Sequence, residues 1–108
     1  MDYFVNWEQH VGSQAAKFFK TTLWQGNQLM VGLNCLDANQ QQASHAHEGA
    51  DKFYLVLEGR GTFTVGNVER EAETGTLVCA PAGIPHGVTN SGPKRLSLLV
   101  AIAPPPTK

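Results

Sequence analysis

His45, Ala46 and His47 set two imidazoles one residue apart, and a third, His86, follows the turn residues Pro81-Ala82-Gly83-Ile84-Pro85. Side chains at i and i+2 of an extended chain share a face, so the first two rings can reach one point in space. Neutral imidazole is a good ligand for Fe, Mn, Ni, Cu or Zn. The acidic groups closest in sequence are Glu48 and Asp51, and Lys52 stands beside them. Alternation puts Lys52, Tyr54 and Val56 on one face, with Asp51 on the other unless a local bulge turns it about. His10 lies far from this set.

The elements that must hold these residues read as strands. Residues 17–24 are rich in aromatic and β-branched types, Gln25-Gly26-Asn27 is a turn, and residues 28–36 continue as the partner strand of a hairpin. Residues 37–44, with three successive glutamines, are expected to be a polar loop that delivers the chain to His45. Residues 53–58 carry apolar side chains on both faces, as in a strand covered on both sides, and Gly59 and Gly61 punctuate its end. Residues 62–65 alternate cleanly, Gly66-Asn67 is a tight turn, and residues 68–73 form a charged strand suited to a sheet edge. Residues 77–79 make a short core strand and residues 96–102 a long apolar closing one. No segment has sustained helical periodicity, and about nine short strands between Gly, Pro and Asn turns argue for an all-β sandwich or barrel.

Two stretches resemble the paired motifs of the cupin superfamily. The second motif is complete, with Gly75, Pro81, Gly83, His86 and Asn90 at the family spacing. In the first, His45, His47 and Gly59 fit, Asn39 stands where the leading Gly is expected, and Lys52 stands where the family has Glu, with Asp51 one residue earlier. The resemblance implies a single-domain cupin jelly-roll β-barrel, in which the motif histidines converge on a divalent metal. It makes His45, His47 and His86 the expected ligands of one divalent metal per chain, of Fe, Mn, Ni or Zn type, with Asp51 a possible fourth. The other reading is a set of hydrogen-bonded histidines in a cupin without metal. An ammonium beside a divalent cation is repelled, so Lys52 would have to deprotonate or turn away.

The family's tasks include those of dioxygenases, sugar isomerases and epimerases, decarboxylases, sugar-binding regulatory modules and seed storage proteins, and fold alone does not choose among them. The resemblance therefore implies either a metal-dependent enzyme on a small metabolite or a non-catalytic binding or sensing module. Trp24, Met30, Phe53, Tyr54, Phe63, Leu77 and Leu98 are candidates for the pocket wall or plain core. Arg60 and Arg95 could meet a substrate carboxylate or simply face solvent.

Composition bounds the rest. The chain has 108 residues, enough for one domain (1–108, with 1–12 an N-terminal arm read as a strand or a short helical turn and 103–108 a loose Pro-rich tail). A net charge of -1 without a basic stripe gives no support to nucleic-acid or anionic-membrane binding. No apolar run approaches the roughly 18 residues of a membrane span, and the N-terminus lacks the pattern of a signal peptide. Cys35 and Cys79 sit in apolar segments, which suits buried thiols in a reducing cytoplasm. The apolar N-terminus and two-faced strands fit the homodimers common among small cupins.

Overall fold

A computed structural model of the protein describes residues 3–106. After a 3-10 turn at Trp7–His10, nine strands follow: β1 (Phe19–Gln25), β2 (Met30–Leu36), β3 (Gln41–His45), β4 (Asp51–Glu58), β5 (Arg60–Val65), β6 (Val68–Glu73), β7 (Leu77–Ala80), β8 (His86–Thr89) and β9 (Leu96–Ala103). They form two antiparallel sheets, ordered β1-β2-β9-β4-β7 and β3-β8-β5-β6. The architecture is the jelly roll of a cupin fold, with no α-helix among the described residues.

Each strand takes its place from its apolar pattern. β9 is buried along most of its length because it lies at the centre of its sheet, with β2 and β4 flanking it. In β4, Lys52, Tyr54 and Val56 point inward and are buried, while Phe53 and Leu55 point outward. β6 is the edge of its sheet, and its exposed Glu69, Arg70, Glu71 and Glu73 discourage further pairing. The sheets close on a core that includes Leu36, Val56, Phe63, Val88, Leu96 and Leu98.

Residues 41–44, expected as loop, belong to the strand β3. Gln41 and Gln42 pair with Thr89 and Val88, and backbone pairing to an available edge overrides the weak strand preference of glutamine. The turn before that strand explains the motif's departure at Asn39. This residue has φ 70°, the left-handed region that asparagine tolerates better than most residues, so it does the work of a glycine. Gly59, with φ 80°, has no such substitute, because a Cβ there would lie 2.4 Å from the Arg95 carbonyl oxygen.

Cys35 is buried, but Cys79 points out of the five-stranded sheet and is exposed. Of the two forms expected for the N-terminal arm, the structure has the short helical turn, and Tyr3 and Phe4 are 79% and 86% exposed. Of the proline tail, Pro104, Pro105 and Pro106 line a cleft with His47 and Glu48 at the barrel mouth. The parts of the arm and tail at positions 1–2 and 107–108 lie outside the described residues.

Candidate metal centre

The two motif segments meet at one end of the barrel. His45 ends β3 and His86 begins β8, and these two residues are directly paired across the strands. The approach needs Gly87, where a Cβ would lie 2.9 Å from the Gln42 carbonyl oxygen. His47 lies just beyond β3, and its backbone carbonyl accepts from Gly83 N–H at 2.9 Å. A second tie joins the same segments, with Ala82 N–H donating to Asp51 Oδ1 at 2.9 Å. The turn that presents His86 is thus fastened to the backbone that presents His47.

The three rings converge. Their ligand atoms all lie within 4.8 Å of one another, and no other group of three or more such residues comes together among the described residues. The ring centroids are 4.8 Å apart for His45 and His47, 4.4 Å for His45 and His86, and 5.5 Å for His47 and His86.

Second partners fix which nitrogens face inward. His45 Nδ1 is 2.9 Å from the Ala43 carbonyl oxygen, and His86 Nδ1 is 3.0 Å from that of Ile84. A carbonyl only accepts, so each Nδ1 carries the proton and each Nε2 presents a lone pair. His86 Nε2 is buried and has no hydrogen-bond partner. His45 Nε2 and His47 Nε2 are 3.1 Å apart, close to the ~3 Å between two nitrogens each about 2.1 Å from one ion at a right angle. The donor set therefore fits a divalent transition metal. Burial holds the pKa of both His47 and His86 below the ordinary histidine value, with the charge of Lys52 adding to the effect, so neutral rings are favoured.

Lys52 does turn inward. Its residue is 6% exposed, and its ammonium lies 4.5 Å from the centroid of the Tyr54 ring. Burial, and secondarily the nearby Lys20, bring its pKa down to about 8. Asp51 keeps regular register with Ala103, as Lys52 does with Ile102, so no bulge turns the carboxylate into the barrel. Asp51 is exposed and held by the Ala82 amide. His10 is exposed in the N-terminal turn.

Among the wall candidates, Met30, Tyr54, Phe63 and Leu98 belong to the interior, with Phe53, Trp24 and Leu77 on the outer face. Arg60 pairs with Glu71 at 3.6 Å and Arg95 with Glu58 at 2.9 Å, leaving neither at the histidines. Sequence reasoning passed over Gln42 and Asn34. Gln42 accepts a hydrogen bond from the buried Tyr54 hydroxyl, and Asn34 is buried on the inner wall, 6% exposed. The signal for Asn34 was a lone amide within an apolar strand.

Jelly-roll strands around a cluster of inward-facing imidazoles describe a cupin-type barrel with a possible metal site. The cupin domain profile matches residues 32–102, and the chain belongs to that family. An uncharacterized protein of Bacillus subtilis, YrkC, is 31% identical over 93 residues, covering 81% of this chain and 50% of its own length. The chain thus spans about half of that relative. An uncharacterized protein of Streptomyces coelicolor, SCO3923, is 34% identical over 77 residues, covering 71% of each chain. Among solved structures, TT1209 from Thermus thermophilus superposes with a TM-score of 0.92 at 35% identity, over 95% of this chain and 98% of that one. KdgF from Halomonas shares the fold, with a TM-score of 0.85 at 19% identity, over 98% of this chain and 96% of that one. Among the described residues, no helix is long and apolar enough to cross a membrane.

Proposed function

We propose that this cupin holds one divalent metal ion, of Fe, Mn, Ni or Zn type, on His45, His47 and His86, and acts on a small metabolite as an enzyme of dioxygenase, isomerase or decarboxylase type. The observation that carries the reading is the convergence of three imidazoles, two with Nδ1 tied to backbone carbonyls, leaving a buried Nε2 of His86 without a partner. Such an ion would supply Lewis-acid polarisation of a bound carbonyl. The chain's own part is to orient the rings of His45 and His86 through Ala43 and Ile84 and to favour the neutral form of His47 and His86 by burial. Elemental analysis of untagged protein purified without chelator tests this, with His47→Ala in parallel. Near one metal per chain, largely lost in the variant, is the expected result; wild-type protein without metal overturns it.

A second reading is favoured by Lys52, whose buried ammonium opposes a divalent cation. In it the chain is a non-catalytic binding or sensing module with a weak metal site or none. A stabilising small molecule recovered unchanged after long incubation supports this reading, and its conversion refutes it.

The same proposal includes a cytoplasmic setting, with two separate free thiols, and a homodimer. The outer face of the five-stranded sheet aligns Leu77, Leu55, Leu99 and Leu33 across four strands. Leu33 is itself covered, but Leu77 is 54% exposed and Trp24 on the same face 42%, and exposed apolar side chains of this kind suit pairing with a second copy. Light scattering is expected to give twice the chain mass, and a mass near 11.7 kDa at working concentration excludes the dimer.

A further inference from the structure

A pocket of about 380 Å³ opens beside the histidine cluster and reaches His47, within the size range of small-molecule sites. Its floor is apolar, from Met30, Val100 and Ile102, and its polar lining includes Lys20, Lys52 and Asn34, with no acidic residue. Strand register explains the layout. Lys20 pairs with Asn34 across β1 and β2, and Lys52 pairs with Ile102 across β4 and β9, so the two ammonium groups come from opposite sides of the same inner wall. Gly32 lines the pocket between Met30 and Asn34 and puts no side chain into it.

Two largely buried residues present polar ends to this pocket without a protein partner, and neither end is sealed from solvent as His86 Nε2 is. Lys52 and Asn34 are each 6% exposed. Neither side chain makes a hydrogen bond or ion pair to another described residue; Lys52 has only the Tyr54 ring face. Burying an ammonium without a counter-charge is costly. An aromatic face returns only part of what solvation supplied. A partner complementary to this lining is negative, small enough for the pocket, and apolar over the part that meets its floor.

We propose that this pocket receives a small organic carboxylate, its charged end held by Lys52 beside the histidines and its carbon body lying on Met30, Val100 and Ile102. Asn34 donates to the same anion from its amide, and Lys20 at the exposed rim draws anions in. This deepens the reading of the histidine end as a small-molecule site and rests on it, although it needs no metal. It also gives Lys52 a purpose at a position where the family motif has Glu: with a carboxylate bound, the ammonium has its counter-charge and its repulsion of the histidine site falls.

The test titrates metal-free and zinc-loaded protein with acetate, isobutyrate and benzoate, and in parallel with the corresponding primary amides. Amide NMR signals of Gly32, Asn34 and Gln42 are followed, at constant pH and ionic strength. At least one carboxylate is expected to shift these signals saturably and to bind about tenfold more tightly than its amide, the margin of one charge-assisted contact. Lys52→Met is expected to remove that preference while its circular dichroism and zinc stoichiometry stay at wild-type values, and Lys20→Gln to weaken it less.

Binding of amides as tight as that of carboxylates overturns the proposal, as does a Lys52→Met protein that keeps the preference, or an absence of saturable shifts with all three acids. Inorganic phosphate that shifts the same signals as strongly as the acids overturns the organic part of the assignment. A carboxylate preference in metal-free protein that takes up no zinc would sink the metal reading and leave this one standing. Zinc uptake without a carboxylate preference would do the reverse.

Discussion

The two ends of this barrel are built from the same strands and have opposite characters. At one end β4 contributes Val56, β8 Val88 and β9 Leu96 and Leu98, all buried at 3% exposure or less and packed in one core. At the other end the same strands contribute Lys52, His86 and Ile102. There the buried polar groups outnumber their protein partners: His86 Nε2 is orphaned and Lys52 has only a ring face. Folding is driven from the first end, and the polar groups at the second are tolerated because the first is well packed. Unsatisfied buried groups cost stability, and their concentration at one end suits the binding role proposed for it.

The comparison is tested hardest at the apolar end. Leu98→Ala removes a side chain that is 0% exposed at the centre of the core, and is expected to cost about 2–5 kcal/mol of unfolding free energy. The protein that remains folded should bind metal with wild-type stoichiometry. Urea denaturation read beside elemental analysis checks both. Lost metal with an unchanged denaturation midpoint would show that the two ends are not separable in this way.

The opposite sign is expected at the polar end. Lys52→Met removes a buried ammonium and keeps an unbranched side chain of similar length, so the apo protein should gain about 1–3 kcal/mol. The gain has a defined pH window. The folded pKa of Lys52, about 8, lies below its ordinary value of 10.5. Between those values the unfolded chain binds more protons than the native one, and wild-type stability therefore rises with pH. The advantage of Lys52→Met is accordingly full below about pH 8 and gone above about pH 10.5. Denaturation midpoints of both proteins across that range measure it, and a gain that persists undiminished at high pH would mean that charge is not its cause.

How far these two ends could be read in advance follows from what kind of signal each carries. The hairpin of β1 and β2, the charged edge β6 and the apolar β9 declare themselves by pattern, because local periodicity reports which face is covered. The convergence of His45, His47 and His86 was legible through motif spacing, which encodes a three-dimensional arrangement that periodicity alone does not. The strand at Gln41–His45 was hidden because its stability comes from pairing with β8, 41 or more positions along the chain (His45 with His86). Cys79 looked buried because its neighbours are apolar, yet the outer face of its sheet is apolar as well. Alternation put Lys52, Tyr54 and Val56 on one face but left open whether Lys52 or Asp51 turns inward; the regular register of β4 sends Lys52 there. What stayed out of reach was the Asp51 side chain's partner, a backbone amide in a distant turn.

That partner sets the smallest expected effect. Asp51 sits one residue from the inner wall and resembles a metal ligand in type and position, but its Oδ1 accepts from the Ala82 amide at 2.9 Å on the outside of the barrel. It ties the His86 turn to the start of β4 instead of reaching the cluster. Asp51→Ala should therefore cost no more than about 1 kcal/mol, the worth of one exposed hydrogen bond, and leave metal stoichiometry unchanged. Asp51→Asn, which keeps an accepting oxygen, should recover most of that loss. If Asp51→Ala instead stripped the metal as thoroughly as His47→Ala, the carboxylate would have to swing inward on binding, and the division between a fastened outer turn and a histidine-only interior would fail.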